Sequence, residues 1–312
     1  MRIVFMGSPD FAVPSLAALV AAKHDVVAVV TQPDRPKGRG NKVLMTAVKE
    51  YALAHDLPIL QPNKVKTPEF VAVLQELQPD VIVVAAFGQF LSQQILDLPR
   101  YGCLNVHASL LPKYRGAAPI HYAILQGESE SGVTIMQMDI GMDTGAMLAH
   151  YAVPIPQYMT MGELHDILKV AGAKLLLTVL DKLSAGTAEA VAQPGAEATY
   201  AHLLHRDIEK IAWQDTALNI HNKIRALNPW PGTYTILPNG KTLKIWCSQV
   251  TDRSTSAAPG TVVTIDKQGF AVATGAGVLQ IIEVQPESKK RMAATIFCNG
   301  RGLEVGDVLS GK

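Results

Sequence analysis

The sequence predicts an α/β fold in two parts: a doubly wound, mostly parallel, Rossmann-like sheet, followed by a small OB-like β-barrel. Short apolar runs alternate with helical stretches through the first 150 residues, the rhythm of a parallel sheet assembled from βαβ units. Residues 81–87 form an unbroken apolar run between Asp80 and Gly88, as in a strand buried on both faces. Beyond residue 230 the pattern changes to short strand candidates separated by glycine-rich turns, which suits a small barrel.

Residues 3–6 read as the first strand and 11–23 as a helix with Pro14 in its first turn, where a missing N–H is tolerated. The valine-rich stretch 25–31 reads as the second strand. Residues 46–55 read as a helix, 58–60 as a short strand, and 67–77 as a helix opened by Pro68. Further strands are expected at 80–87, 103–107 and 133–138. The helix after residue 160 begins with a capping box, Thr160-Met161-Gly162-Glu163, and carries an apolar face through Leu164, Ile167, Leu168 and Ala171. Residues 184–200 show no strong period. The predicted division is therefore a first domain over 1–189, a linker over 190–206 and a C-terminal domain over 207–312. A helix is expected over 207–227, ending before Asn228-Pro229-Trp230-Pro231-Gly232. Strands at 233–237 and 242–250 flank Pro238-Asn239-Gly240-Lys241, where Asn-Gly signals a hairpin, and 261–266, 270–274 and 278–284 complete five strands.

With 312 residues, 48% of them hydrophobic and 18% charged, the chain can bury a full core and is not compositionally disordered. Its apolar runs fall far short of the ~18 residues that a membrane span needs. The N-terminus lacks the apolar core of a secretory signal, roughly 7–15 residues long. Cys103, Cys247 and Cys298 are odd in number and scattered, which argues against a disulfide framework or a cysteine zinc site. A soluble, cytoplasmic protein is expected. Its net charge of +1 hides an asymmetry: 15 Lys and Arg against 18 Asp and Glu in residues 1–204 (−3), and 13 against 9 in residues 205–312 (+4). Arg35, Lys37, Arg39 and Lys42 fall within one eight-residue stretch. Such a distribution suits a polyanionic partner, although on charge alone a solvated surface is the simpler reading.

Gly7-Ser8-Pro9-Asp10 follows the first strand but offers a single glycine, so the dinucleotide fingerprint G-x-G-x-x-G is absent. H-E-x-x-H, a Walker loop and G-x-S-x-G are absent as well, which removes support for zinc hydrolysis, P-loop chemistry and a serine nucleophile. Asn105 and His107 stand two residues apart in a strand, so amide and imidazole project to the same side. An amide donor beside an imidazole can stabilise an oxyanion and move a proton. The run from Ala108 to Pro119 fixes a long turn beside them and carries Ser109, Lys113 and Arg115. Asp143, in Asp139-Ile140-Gly141-Met142-Asp143-Thr144-Gly145, lies on a glycine-bounded loop that can bring a carboxylate to the same crevice.

Asn105-x-His107, the run 109–119 and the loop 141–145 resemble the folate-dependent formyltransferases, and Asn228-Pro229-Trp230-Pro231-Gly232 is also typical of that family. The resemblance spans the chain. It implies Asn105, His107 and Asp143 as catalytic residues, 10-formyltetrahydrofolate as formyl donor, and no metal. It also implies folate contacts from Ser109, Leu110, Leu111 and Pro112, from Phe90 and Leu91, and from Asp139. The triad does not select the acceptor. The segment 35–42 resembles the tRNA-binding loop of the branch acting on the α-amine of initiator methionyl-tRNA, and implies tRNA contacts from Arg35, Lys37, Arg39 and Lys42, with Arg39 foremost. Asn41 stands where relatives often carry a second lysine. The resemblance further suggests a monomer. Relatives that formylate a UDP-amino sugar carry a similar barrel and are the rival reading, followed by a non-catalytic RNA-binding module and a folate hydrolase. Which of His107 and Asp143 holds the proton at each step stays open at the level of sequence.

Overall fold

β1 (Arg2–Gly7) is buried from Ile3 onward and anchors the first sheet of the chain. The computed structural model describes residues 1–37, 42–300 and 302–310. After β1 come α1 (Val13–Ala21), β2 (Asp25–Val30), β3 (Arg35–Lys37), β4 (Lys42–Leu44), α2 (Ala47–Ala54), β5 (Ile59–Leu60), α3 (Pro68–Leu77) and β6 (Val81–Ala85). They are followed by α4 (Gln93–Leu96), β7 (Cys103–His107), β8 (Arg115–Gly116), α5 (Pro119–Leu125), β9 (Glu130–Gln137), β10 (Met147–Pro154), α6 (Met161–Ser184) and β11 (Tyr200–Ala201). Two compact units emerge, the first comprising residues 1–119, 130–153 and 165–201, the second 120–129, 154–164 and 202–312.

The first unit holds a seven-stranded sheet in the order β10-β9-β7-β6-β1-β2-β5. β1 pairs in parallel with β2 and β6, β2 with β5, and β6 with β7, whereas β9 lies antiparallel to β7. The chain winds outward from β1 through β2 to β5, then crosses back to β6 and β7. That reversal makes the gap between β1 and β6 a switch point, where crevices form outside the strands' carboxyl ends. All five residues of β6 are buried, as its apolar run predicts. Thr46 and Thr67 cap α2 and α3, accepting from Lys49 N at 3.1 Å and Phe70 N at 3.4 Å. The predicted capping box is present: Thr160 Oγ1 accepts from Glu163 N at 3.3 Å, and Glu163 Oε2 accepts from Thr160 N at 2.8 Å.

Three features of the chain up to β11 depart from the sequence reading. α5 and β10 were not expected; α5 has seven residues, too few to show a period, and β10 is a largely exposed edge strand without alternation. The basic segment, expected as a loop, has its two flanks paired as antiparallel strands, Arg35 with Leu44 and Lys37 with Lys42, while residues 38–41 lie outside the described residues. Prolines and like charges hide this strand pair from pattern reading. Arg39 lies outside the described residues. Finally, residues 190–201, expected as linker, pair β11 with β8.

In the second unit, α7 (Ala217–Ala226), β12 (Thr233–Ile236), β13 (Thr242–Thr251), β14 (Val262–Asp266), β15 (Gly269–Ala273), β16 (Val278–Pro286), β17 (Met292–Ala293) and α8 (Ala294–Asn299) follow one another. The strands order as β12-β13-β16-β15-β14 with β17 on β16, around a core that includes Trp213, Ile220, Phe270 and Leu279. The Asn239-Gly240 turn joins β12 to β13, with Gly240 at φ 79°. Among the described residues β12 and β14 do not pair directly, so the predicted barrel is not closed strand to strand. Backbone bonds from the chain's end cover both edges instead: Ile236 exchanges bonds with Ser310 at 2.9 and 3.0 Å, and Val262 N donates to Asp307 O at 2.8 Å. The helix expected over 207–227 begins only at Ala217, because Thr216 caps it and Ile211 and Trp213 are drawn fully into the core.

His221 on α7 is buried, its Nε2 3.1 Å from Gln157 O and its Nδ1 3.0 Å from Ser248 Oγ. The carbonyl can only accept, so Nε2 donates to it and Nδ1 accepts from the hydroxyl of Ser248: a neutral ring satisfies both. Burial, aided by the Arg225 charge, pulls the imidazole pKa below its ordinary value. The unfolded chain therefore binds the proton more readily, and the stability from this site is full above the ordinary histidine range and declines as pH falls through it. Acidification from about 7.5 to about 5.5 should lower the Tm of the wild type more than that of His221→Gln. Equal slopes in a thermal melt would remove His221 from the acid response.

Candidate active site

β7 ends on the same carboxyl edge of the sheet as β1 and β6, and presents Asn105 and His107 on one face. Val106, between them, points the other way onto α6. There Gly172 allows close approach, since a Cβ at that position would meet Val106 Cγ1 at 2.8 Å. The register sets His107 opposite Thr134 of β9. Thr134, fully buried, donates to Ser109 O at 2.7 Å and accepts from Leu111 N at 3.2 Å, folding the chain back immediately after the strand. Ser109 Oγ donates to Lys113 O at 2.6 Å and tightens the same turn. The turn ends at Tyr114 in the left-handed region, φ 61°, an uncommon conformation for a residue with a side chain. It aims the Tyr114 carbonyl at His107 Nε2, 3.0 Å away.

That contact assigns the imidazole tautomer. Nε2 must carry the hydrogen it gives to the carbonyl, which leaves Nδ1 of the neutral ring as its basic nitrogen. Nδ1 faces Asp143 Oδ2 at 3.7 Å, close enough for charge attraction once the ring is protonated. Asp143 also sits in the left-handed region, φ 52°, on the loop between β9 and β10. Its Oδ1 accepts from Asn105 Nδ2 at 3.2 Å and its Oδ2 from Gly116 N at 2.8 Å. One carboxylate thus joins the amide, the imidazole and the turn after β7. His107 is buried, Asn105 is half-buried, and the Asp143 side chain retains 17% exposure, so the cluster reaches the surface.

The loop bearing Asp143 is itself constrained. Asp139 Oδ1 accepts from Gly141 N at 3.0 Å and from Thr144 Oγ1 at 2.6 Å, so this predicted folate contact shapes the loop. Gly145 passes so near β9 that a Cβ would lie 1.7 Å from Gln137 O. Gln193 Nε2 donates to Asp143 O at 2.8 Å and to Gly145 O at 2.7 Å, and its Oε1 accepts from Nε and Nη2 of buried Arg115 at 3.0 and 2.8 Å. Pattern reading missed Gln193 and Thr134, for neither belongs to a motif.

The structure brings Asn105, His107 and Asp143 together, with Leu110 and Pro112 on the adjoining turn. Ser109 and Leu111 are buried in that turn, and their polar groups are engaged as described. Leu91 packs in the core beside Phe87 and Ile95 rather than offering a free surface, whereas Phe90 is 54% exposed, with Lys66 Nζ 5.7 Å from its ring centre. Arg35 is exposed on its hairpin, which is rooted through Asp34: Lys49 Nζ and Gln61 Nε2 donate to it at 2.5 and 2.9 Å and hold its carboxyl below the usual range. The metal-like grouping of Asp10, His165 and Asp166 is taken up by the Lys169 ammonium, 2.7 Å from Asp166 and 3.5 Å from Asp10.

Two family models match the chain, "Formyl transferase" over residues 1–180 and "Formyl transferase, C-terminal domain" over 204–302. The chain is 50% identical to a methionyl-tRNA formyltransferase of Bacillus subtilis over 309 residues, covering 99% of this chain and 97% of that one. It is 48% identical to the methionyl-tRNA formyltransferase of Acetivibrio thermocellus over 310 residues, 99% of each. Among solved structures, an N-formyltransferase from Helicobacter canadensis in complex with folinic acid and dTDP-3-aminofucose superposes with a TM-score of 0.69 at 24% identity, covering 92% of this chain and 99% of that one, a likeness of fold.

Gly145→Ala should force the loop off β9, because the obstructing atom is backbone and cannot rotate aside. A loss of about 1–3 kcal/mol in denaturant unfolding is expected. An unchanged midpoint would mean that the loop accommodates the methyl without moving Asp143.

Proposed function

The chain belongs to the formyl transferase family, among the methionyl-tRNA formyltransferases, and on that premise we propose how its residues act. It transfers the formyl group of 10-formyltetrahydrofolate to the α-amino group of methionine on initiator methionyl-tRNA. The observation that carries the catalytic reading is the single carboxylate of Asp143, bonded to Asn105 and facing the basic nitrogen of His107.

Asn105 commits one Nδ2 hydrogen to Asp143 and keeps the other for the oxygen of the tetrahedral intermediate that forms as the amine attacks the formyl carbon. His107 takes the proton of the attacking amine on Nδ1, and the resulting imidazolium is balanced by Asp143. The same proton then passes to N10 of the folate as the carbon–N10 bond breaks, leaving formylmethionyl-tRNA and tetrahydrofolate. Phe90, Leu110 and Pro112 supply surface to the folate, Ser109, Leu91 and Leu111 support it from within, and Asp139 acts through its loop.

The shared fold does not choose between a sugar amine and a tRNA amine. The basic hairpin and the balance of +4 over residues 205–312 favour tRNA. Arg35, Lys37, Arg39 and Lys42 are assigned to its phosphates. Among the described residues no helix is long and apolar enough to cross a membrane. A cytoplasmic monomer suits an enzyme that must meet charged tRNA and a soluble folate.

Radiolabelled 10-formyltetrahydrofolate should be offered with charged initiator tRNA, charged elongator tRNA, a UDP-amino sugar and water in parallel. Label is expected on initiator tRNA alone. Asn105→Ala should lower kcat by about 10²–10³ with little change in the KM for tRNA. Transfer to the sugar would overturn the acceptor assignment, and a variant that changed only KM would overturn the catalytic role of Asn105.

A further inference from the structure

Residues 193–201 lie between the two matched family domains, and in sequence they read as a connection. In the structure they grip both catalytic loops from behind. Gln193 holds the backbone on either side of Thr144 by donating to Asp143 O and Gly145 O. All four hydrogen-bonding positions of its amide are filled, since Arg115 gives two bonds to Oε1. Six residues later, Thr199 Oγ1 accepts from Tyr114 N at 2.9 Å, and Thr199 O accepts from Arg115 N at 2.9 Å. Tyr114 is the residue whose carbonyl fixes the His107 tautomer. Ala201 O accepts from Ala117 N at 2.8 Å and completes the strap.

We propose that Gln193 and Thr199 are positioning residues for formyl transfer: Gln193 sets the Asp143 carboxylate through its loop, and Thr199 sets His107 through the Tyr114 peptide. This rests on the catalytic reading of His107 and Asp143. Left-handed residues at Asp143 and Tyr114 persist only where surrounding bonds hold them, and the strap supplies those bonds at both positions. Neither side chain reaches the cluster itself, so their removal acts on orientation rather than on substrate binding.

The test uses steady-state kinetics of the full chain with charged initiator tRNA and 10-formyltetrahydrofolate. Gln193→Met should lower kcat about tenfold while leaving both KM values within about twofold. In an Asp143→Asn background the same change should cost less than about twofold, because it acts through a group already lost. Thr199→Val should also lower kcat about tenfold, and Thr199→Ser, which keeps the hydroxyl, should restore it. Equal losses from Gln193→Met in both backgrounds, or changes confined to KM, would overturn the proposal. So would a silent Thr199→Val. If Asp143→Asn itself retains wild-type kcat, the catalytic reading fails. A crippled Asp143→Asn beside a silent Gln193→Met overturns only the role of the strap.

Discussion

The Tyr114 carbonyl, held at 3.0 Å from His107 Nε2, commits one nitrogen of the imidazole to the fold and leaves the other for the chemistry we propose. Nε2 is committed to the protein, and Nδ1 is left basic beside a carboxylate. Much of the site's local folding serves that arrangement. Thr134 folds the turn that brings Tyr114 back, and the left-handed φ of Tyr114 rotates its peptide towards the ring. Asp143, left-handed as well, gathers Asn105 and the Gly116 amide around the same point. Two unusual backbone conformations in one cluster are tolerated because hydrogen bonds on several sides determine them.

The grouping of Asn105, His107 and Asp143 was legible in part: the period of two in a strand sets Asn105 and His107 on one side, and a glycine-bounded turn can carry Asp143 to them. Those patterns alone suit a structural pair and an acidic turn equally well, and it is the resemblance to the formyltransferases that singles the three out. The buried run of β6, the capping box at Thr160 and the Asn239-Gly240 hairpin were legible because each is written in adjacent residues. What stayed hidden is tertiary. Gln193 meets Asp143 fifty residues away, and Thr199 meets Tyr114 eighty-five away, with no spacing rule to link them. The cover over the edges of β12 and β14 comes from the chain's last described residues and leaves no local pattern. The β3–β4 hairpin was hidden by residue types that strands disfavour.

The fold and the acceptor are separate questions in this family. The N-formyltransferase of 24% identity, in complex with folinic acid and dTDP-3-aminofucose, shares the architecture, so the fold by itself does not choose the acceptor. In our proposal, selection for tRNA is assigned to features outside the trio: the basic segment rooted through Asp34 and the cationic balance of the later residues. This separation also explains why charge alone supported only a bland reading. The hairpin gains meaning from its root at the end of β2, on the carboxyl side of the sheet where ligands bind.

The most direct measurement is 15N NMR of the imidazole of His107, assigned by difference from His107→Gln. The account predicts that the neutral ring carries its hydrogen on Nε2 with Nδ1 bare, and that acidification adds the second proton at Nδ1. A neutral ring protonated at Nδ1 would contradict it, because the nitrogen facing Asp143 would then have no lone pair with which to accept a proton from the attacking amine.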